Sequence, residues 1–365
     1  MGNSSIVFRV DAGPEIGIGH LRRCLTLAAE FLEHGIKPHF VLRDRLAPAL
    51  ALLVSRYELH YLTEADDSNC SRGDTDDELW DANSTLAIMG RLPMTVTWVV
   101  LDSYDLGYEW ERRIRGADHM VAVIDDYRNR KHHADLLVSD SDAPFAPGLN
   151  DLADTGVILA GRKYALLEPE YAFISEDQKT LSGPKRVLVS YGSADPTGET
   201  LKALDAFRSI RADRSLSSQI GPLDVVIGLV DPKAFAIIRA AAGISDITVH
   251  QNVSNMGPLM READLILTAG GNSMIEALAL RKPCIVTVVS DNHATIVAEL
   301  CAQSAIRSLG EHSTVKAADV QKTVTSVLAN FDEFAARVAS NPLFDHFGAS
   351  RITSVMLAKC ASRQL

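Results

Sequence analysis

One pattern constrains this chain more than any other. Short runs of β-branched and aliphatic residues alternate with longer amphipathic runs, and the alternation happens twice. The first half reads as strands over 6–10, 37–43, 98–102 and 120–125, helices over 21–34 and 108–116, and weaker strands over 135–138 and 157–160. The second reads as strands over 186–191, 223–228, 247–250, 264–268 and 284–289, with helices over 197–212, 253–262, 273–280 and 293–302. Strands that alternate with helices pair in parallel, because each crossover carries the chain back to the edge it started from. The expected class is therefore α/β, with two Rossmann-like domains. Between the halves, 176–185 turns polar and includes Ser182-Gly183-Pro184, the composition of a linker. The expected boundaries are 1–176 for the first domain and 185–345 for the second. Residues 346–365 carry helical spacing through Ile352, Val355, Met356 and Cys360 and are expected to form a helix packing back across the domains.

A length of 365 residues suits two domains. The formal charge of −11 argues against a nucleic-acid partner, whose footprint would be a basic face. It leaves room for a small anionic ligand, since a few backbone amides at a helix start can hold a phosphate. The five cysteines are widely spaced and form no C-x-x-C pair, so neither a zinc site nor a disulfide framework is expected from them. Reduced thiols and a cytoplasmic location follow, with no signal peptide and no apolar stretch of the ~20 residues a membrane span needs. The acid-rich stretch 64–78 reads as a solvated loop, because like charges repel and stay wet.

In parallel α/β sheets ligands bind beyond the carboxyl ends of the strands, and with two such domains the cleft between them is the default site. Four constellations lie at expected strand ends. The first runs from Asp11 through Gly13, Gly17 and Gly19 to His20, Arg22, Arg23 and Cys24. Its glycines permit close backbone approach at a helix start. An imidazole there titrates near neutral pH, and the positive end of a helix favours its neutral, proton-accepting form. His20 is either a general base or a surface or helix-capping histidine. The second is Ala269-Gly270-Gly271-Asn272-Ser273-Met274-Ile275-Glu276. Either Ser273 and Glu276 make a capping box, or the double glycine cradles a diphosphate while Glu276 meets ribose hydroxyls. The third, Ser190 to Pro196 around Gly192, is a glycine loop at the cleft or a Pro-Asp turn. The fourth is Asp102-Ser103-Tyr104, substrate contacts or a turn. The adjacent Asp125-Asp126 pair reads as a loop cap rather than a metal site, because neighbouring side chains point apart.

Taken in order, F-R-x-D (8–11), G-x-G-H-x-x-R-C (17–24), D-x-Y (102–104), I-D-D (124–126), Y-A-L-L-x-P-E-Y (164–171), G-x-x-D-P (192–196), N-M-x-x-L-M (255–260), GG-x-S-x-x-E (270–276) and D-N (291–292) resemble the UDP-2,4-diacetamido-2,4,6-trideoxy-β-L-altropyranose hydrolases of pseudaminic acid biosynthesis. The resemblance spans roughly residues 6–355. It implies a GT-B fold related to the peptidoglycan N-acetylglucosaminyltransferase, with the active site in the inter-domain cleft. The substrate would be a UDP-sugar, the product UDP, and no metal or cofactor is implied. His20 matches the family's general base and Tyr104 its tyrosine near the sugar. Asp11, Gly17, Gly19 and Arg22 fall in the first motif. Gly192, Asn255, Met256, Gly270, Gly271, Asn272, Ser273, Glu276, Asn292 and His293 fall in or beside the nucleotide motifs, with Glu276 on the ribose. Asn272-Ser273 stand where members often have Ser-Thr, His293 replaces a Gln, and Glu168 replaces an Arg. A GT-B glycosyltransferase and a non-catalytic nucleotide-sugar binder are the alternative readings, because a fold does not fix a function.

Overall fold

The computed structural model describes residues 4–13, 16–62, 75–142, 156–173, 183–251 and 253–363. Glu15, Cys70, most of the acid-rich stretch and most of the expected linker lie outside the described residues. The chain divides into two compact units, Met1–Leu167 with Phe347–Leu365, and Glu168–His346.

The N-terminal unit runs β1 (Ser4–Val10), α1 (Gly19–Glu33), β2 (Lys37–Leu42), α2 (Pro48–Leu53), β3 (Glu58–Tyr61), α3 (Thr75–Met89), β4 (Thr95–Asp102), α4 (Tyr108–Arg115), β5 (Met120–Ile124), β6 (Leu136–Ser139) and β7 (Val157–Ala160). Its seven strands pair in the order β3-β2-β1-β4-β5-β6-β7, every pair parallel. A parallel sheet is covered on both faces, so its inner strands read as unbroken apolar runs. β5 and β6 are buried at every position. The last helix of the chain, Gly348–Arg363, belongs to this unit. Its Met356 carbonyl accepts the indole N–H of the fully buried Trp98 on β4 at 3.1 Å.

The C-terminal unit runs β8 (Lys185–Ser190), α5 (Glu199–Ala212), α6 (Arg214–Ser217), β9 (Ile220–Val226), α7 (Ala234–Ala241), β10 (Ile247–His250), α8 (Gly257–Glu262), β11 (Leu265–Ala269), α9 (Asn272–Ala279), β12 (Cys284–Val288), α10 (Asp291–Ala302), β13 (Arg307–Glu311), α11 (Ala317–Ala329) and α12 (Phe331–Ser340); the Gly348–Arg363 helix is α13. The sheet order is β10-β9-β8-β11-β12-β13, all parallel, the doubly wound Rossmann arrangement. Both carboxyl edges therefore gather the loops that carry the motifs.

Several expectations are corrected. The stretch read as a solvated loop becomes helical from Thr75: Asp76, Asp77 and Glu78 fill the first turn of α3, where acids are favourable near the positive helix end. Asp77 and Asp81 are fully buried. The helix expected over 253–262 starts only at Gly257, because Pro258 favours a first turn and the Asn255 side chain already takes the Gly257 N–H at 2.9 Å. The helix expected from 197 starts at Glu199, after Gly198 at φ +76°.

Candidate active site

Helix α1 opens directly after a small closed loop. Gly13 and Gly17 exchange two backbone hydrogen bonds, 3.0 and 2.7 Å, and Gly17 sits at φ +80°, a conformation that favours glycine. Gly19 is the first residue of α1, and no side chain caps this helix. His20 follows in the first turn. It is neither a surface nor a capping histidine: its side chain is 10% exposed, and Nδ1 lies 2.5 Å from Oδ1 of Asp102, the last residue of β4. Strand β4 is the immediate neighbour of β1, so the topology itself sets the acid beneath the helix that β1 leads into. Asp102 is thus neither a turn residue nor an outward contact.

Arg23, one turn along α1, completes the arrangement. Its guanidinium grips Asp102 through Nε (2.5 Å to Oδ2) and Nη2 (2.6 Å to Oδ1), and reaches Oδ2 of Asp126 through Nη1 at 2.7 Å. The Cys24 thiol also faces Asp102, at 3.6 Å. Burial alone would raise the Asp102 pKa, but Arg23 and His20 overcome it and hold the carboxyl well below the usual range. An ionised Asp102 can only accept, so Nδ1 carries a proton, and in the neutral ring Nε2 is then the accepting nitrogen. Arg23 itself is neutralised by two acids, Asp102 and Asp126. Arg22 is half-buried, and its backbone carbonyl accepts the Thr26 hydroxyl at 3.1 Å.

Tyr104 stands edge-on to the His20 ring, centroids 4.5 Å apart, and its hydroxyl donates to Asp126 Oδ2 at 3.0 Å. Burial and the Asp126 charge push its pKa upward, so it remains a phenol and a donor. The Asp125-Asp126 pair divides its labour. Asp125 caps a turn by accepting from Tyr127 N (3.1 Å) and Arg128 N (2.8 Å), as a loop cap should. Asp126 faces the other way, toward Arg23 and Tyr104, and its Oδ1 is buried with no hydrogen-bond partner among the described residues. Asp140, directly after β6, is the neighbouring acid. Burial, then the Asp126 charge, pushes its carboxyl up to about 7. The sequence places Asp102 as a substrate contact or turn, Arg23 in the glycine-loop constellation and Asp126 in a loop cap; their grouping around His20, and Asp140 altogether, are not among the expectations. The available signal was positional: each acid ends or follows one of three adjacent strands, and Arg23 lies three residues from His20 on one helix face.

Asp11 has a different setting. Arg9 is fully buried on β1, chelated by Asp81 (Nε to Oδ1 3.0 Å, Nη2 to Oδ2 2.6 Å), and its Nη1 reaches Asp11 at 2.8 Å. The Arg43 N–H takes the other Asp11 oxygen at 2.8 Å. Trp110 Nε1 donates to Asp81 at 2.8 Å. Asp11 is therefore held by the scaffold on both oxygens.

In the C-terminal unit, β11 ends at Ala269 and α9 starts at Asn272, with Gly271 as its N-cap and no side-chain cap. The capping-box reading fails: Ser273 is the second residue of the helix, not its cap. Glu276 is buried on the same helix. His293, in the first turn of α10, packs onto the double glycine. A Cβ at Gly271 would lie 2.9 Å from His293 Nε2, and one at Gly270 2.5 Å from Val297 Cγ2. Asn292 precedes His293 in that turn. Gly192 sits at φ +84°, with nothing within 4 Å of where a Cβ would stand. Three residues on, the Asp195 carboxylate takes the N–H groups of Glu199 and Thr200, both at 2.9 Å, and so occupies the start of α5. Asn255 serves the turn before α8, whose N-cap is Met256. Of these helix starts, α5 is closed by its own carboxylate and α9 carries no side-chain cap.

The six-stranded order, the seven-stranded order and the all-parallel pairing are two Rossmann-like units in one chain. A solved structure of MurG from Acinetobacter baumannii superposes with a TM-score of 0.66 at 13% identity, over 98% of this chain and 99% of that one. The fold is GT-B. UDP-GlcNAc 2-epimerase from Neisseria meningitidis, solved with UDP-GlcNAc, shares this GT-B fold at a TM-score of 0.62 and 12% identity, over 98% and 99% of the two chains. No protein-family model matches. Among curated proteins, the chain is 24% identical over 200 residues to the spore coat polysaccharide biosynthesis protein SpsG of Bacillus subtilis, covering 54% of this chain and 58% of SpsG. It is 22% identical over 291 residues to the uncharacterised protein MJ1062 of Methanocaldococcus jannaschii, covering 77% of this chain and 55% of that one. The chain thus spans little more than half the length of the curated relatives it matches. Among the described residues no helix is long and apolar enough to cross a membrane.

Proposed function

We propose that this chain hydrolyses a UDP-linked amino sugar to free sugar and UDP, without a metal. The observation that carries the reading is the His20–Asp102 contact: a histidine held by a buried, ionised carboxylate through Nδ1 has Nε2 available for a proton. In the step, a water oxygen attacks the anomeric carbon as Nε2 takes the water's proton. The bond from that carbon to the phosphate oxygen breaks, its electron pair leaves with UDP, and configuration inverts. Asp102 balances the imidazolium that forms. A diphosphate is already a good leaving group, so one positioned base is sufficient, worth roughly 10²–10⁴-fold. Tyr104 and Asp126 would orient the sugar, with Gly17, Gly19 and Arg22 beside the base, while Asp11 is held by Arg9 and the Arg43 N–H. The nucleotide falls to the C-terminal unit. The start of α9 at Asn272 and Ser273, which has no side-chain cap, would turn its amides to the diphosphate, and Glu276 would take the ribose. His293 and Asn292 border the double-glycine turn, and Gly192, Asn255 and Met256 lie in neighbouring loops. The ordered motif series supports the sugar class. The epimerase solved with UDP-GlcNAc and the polysaccharide biosynthesis protein SpsG support nucleotide-sugar chemistry in polysaccharide assembly.

Incubation with UDP-sugar and no acceptor tests the reading. Equal amounts of UDP and free sugar are expected, and His20→Ala is expected to abolish turnover with little change in UDP affinity. The likeness to MurG favours a second reading, glycosyl transfer. UDP release only after an acceptor is added would replace hydrolysis with it.

A further inference from the structure

A separate cluster of ligand-type side chains lies at the β2–β3 edge of the N-terminal sheet. His39 sits on β2, Glu58 and His60 on β3, and the register pairs His39 with Glu58. Residues 58 and 60 are two apart on a strand and so share a face. His39 Nδ1 is 3.1 Å from His60 Nε2 and 3.3 Å from a Glu58 carboxylate oxygen. The three donor atoms all lie within 4.8 Å of one another. Ligands bound to Zn²⁺ at roughly 2.0–2.1 Å occupy tetrahedral corners about 3.3 Å apart. Two of the separations here match that edge with no movement. One ring proton on His39 Nδ1 serves only one of its two short contacts well, whereas a cation at the centre serves all three atoms.

We propose that His39, Glu58 and His60 form a three-ligand site for a divalent transition metal, Zn²⁺, with water as the fourth ligand. The imidazole–imidazole–carboxylate set is that of a borderline ion, not of Ca²⁺ or Mg²⁺. His39 is fully buried and Glu58 is half exposed, which leaves a solvent side for the water. The ligands are strand residues on the sheet edge, outside the His20–Asp102 chemistry. The role is structural: the ion ties the short edge strand β3 to β2 across the α2 segment, and it stabilises the fold by mass action. Two features set the affinity. Lys37 pairs with Glu58 and competes with the ion. His39 Nε2 is buried with no hydrogen-bond partner among the described residues, so the outer support that strengthens a ligating histidine is missing.

The full chain, stripped with a chelator, is titrated with Co²⁺ and then displaced with Zn²⁺. One equivalent of Co²⁺ giving the intense visible bands of a tetrahedral site is expected, with a rise in Tm on adding Zn²⁺. His60→Ala removes the bands and the Tm rise, Glu58→Gln weakens binding at least about tenfold, and Lys37→Ala strengthens it. Metal-free melting of each variant shows that it folds, and Glu58→Gln decides the matter where His60→Ala does not fold. Absence of tetrahedral bands, or bands that survive in the substituted chains, overturns the site.

Discussion

His20 Nδ1 and Asp102 Oδ1 meet at 2.5 Å, between residues 82 apart in sequence. The acid fixes which ring nitrogen carries the proton and which way the ring faces. Asp102→Asn keeps the shape but can present an N–H to Nδ1, which favours the tautomer with its proton on Nε2 and removes the base. The expected result is a fall in kcat of about 10²–10⁴-fold with a much smaller change in KM, measured as UDP release. Arg23 then loses its main counter-charge in a buried place, so a lower Tm is also expected. A variant with unchanged kcat would separate Asp102 from the chemistry.

Asp140 supplies a pH dependence of the opposite sign to most carboxylates. Its folded pKa, about 7, is raised above the ordinary aspartate value of about 3.9. Between those values the folded chain holds a proton that the unfolded chain has released, so raising the pH favours unfolding. The contribution is neutral below about pH 4 and grows unfavourable as the pH climbs toward 7. Asp140→Asn should remove that slope and melt higher than the parent at pH 7.5, while matching it near pH 4. Equal Tm differences at both pH values would show that Asp140 titrates normally.

The alternation legible in the sequence is the part set by burial on both faces. Strands such as 120–124 and 284–288 are apolar throughout because parallel sheets are covered above and below. The edge strands β3 and β13 escaped notice because their exposed faces carry Glu58, His60, Arg307 and Glu311, which break the pattern. Helix α3 escaped because its first turn is acidic, and the charge that signals solvent in Asp77 and Asp81 is in fact spent on Arg43 and Arg9. His20 was legible as a residue type at a helix start after a glycine loop. Its partners were not, because strand order, not sequence distance, brings β4, β5 and β6 ends beside α1. The capping-box reading of Ser273 falls only once the start of the helix is known, because the sequence does not mark Gly271 as its N-cap.

His132 is buried between Glu111 Oε1 (2.7 Å) and Asp125 Oδ2 (3.3 Å). Burial opposes its charge, but the two acids win and raise its pKa to about 9. The folded value exceeds the unfolded 6.5, so the stabilisation is fully present below about pH 6.5 and is lost as the pH rises through 9. The shift corresponds to a stabilisation on the order of 3 kcal/mol. Calorimetry from pH 6.5 to 9.5 should show Tm falling in the parent chain. His132→Gln should melt lower at pH 6.5 and lose that pH slope. A parallel pair of curves would mean that His132 does not carry the pH slope.

The double glycine makes the last prediction, because two explanations of it diverge on substitution. Gly270 lies under α10, where a Cβ would meet Val297 Cγ2 at 2.5 Å and His293 Cβ at 3.0 Å. Neither neighbour is a flexible tip, so Gly270→Ala must displace the helix and should cost about 1–3 kcal/mol of stability. The three atoms nearest a Cβ at Gly271 all belong to the ring of His293, the first being Nε2 at 2.9 Å. That ring can swing aside, so Gly271→Ala should leave Tm nearly unchanged. If the turn holds the diphosphate, the displaced ring and added methyl obstruct the amides, and UDP affinity falls at least about tenfold, roughly 1.4 kcal/mol. His293→Ala in the same chain frees the space and should restore part of that affinity. Calorimetric titration with UDP on the three variants checks this. Affinity unmoved in Gly271→Ala would mean that the glycines exist to seat α10 and that the nucleotide binds elsewhere.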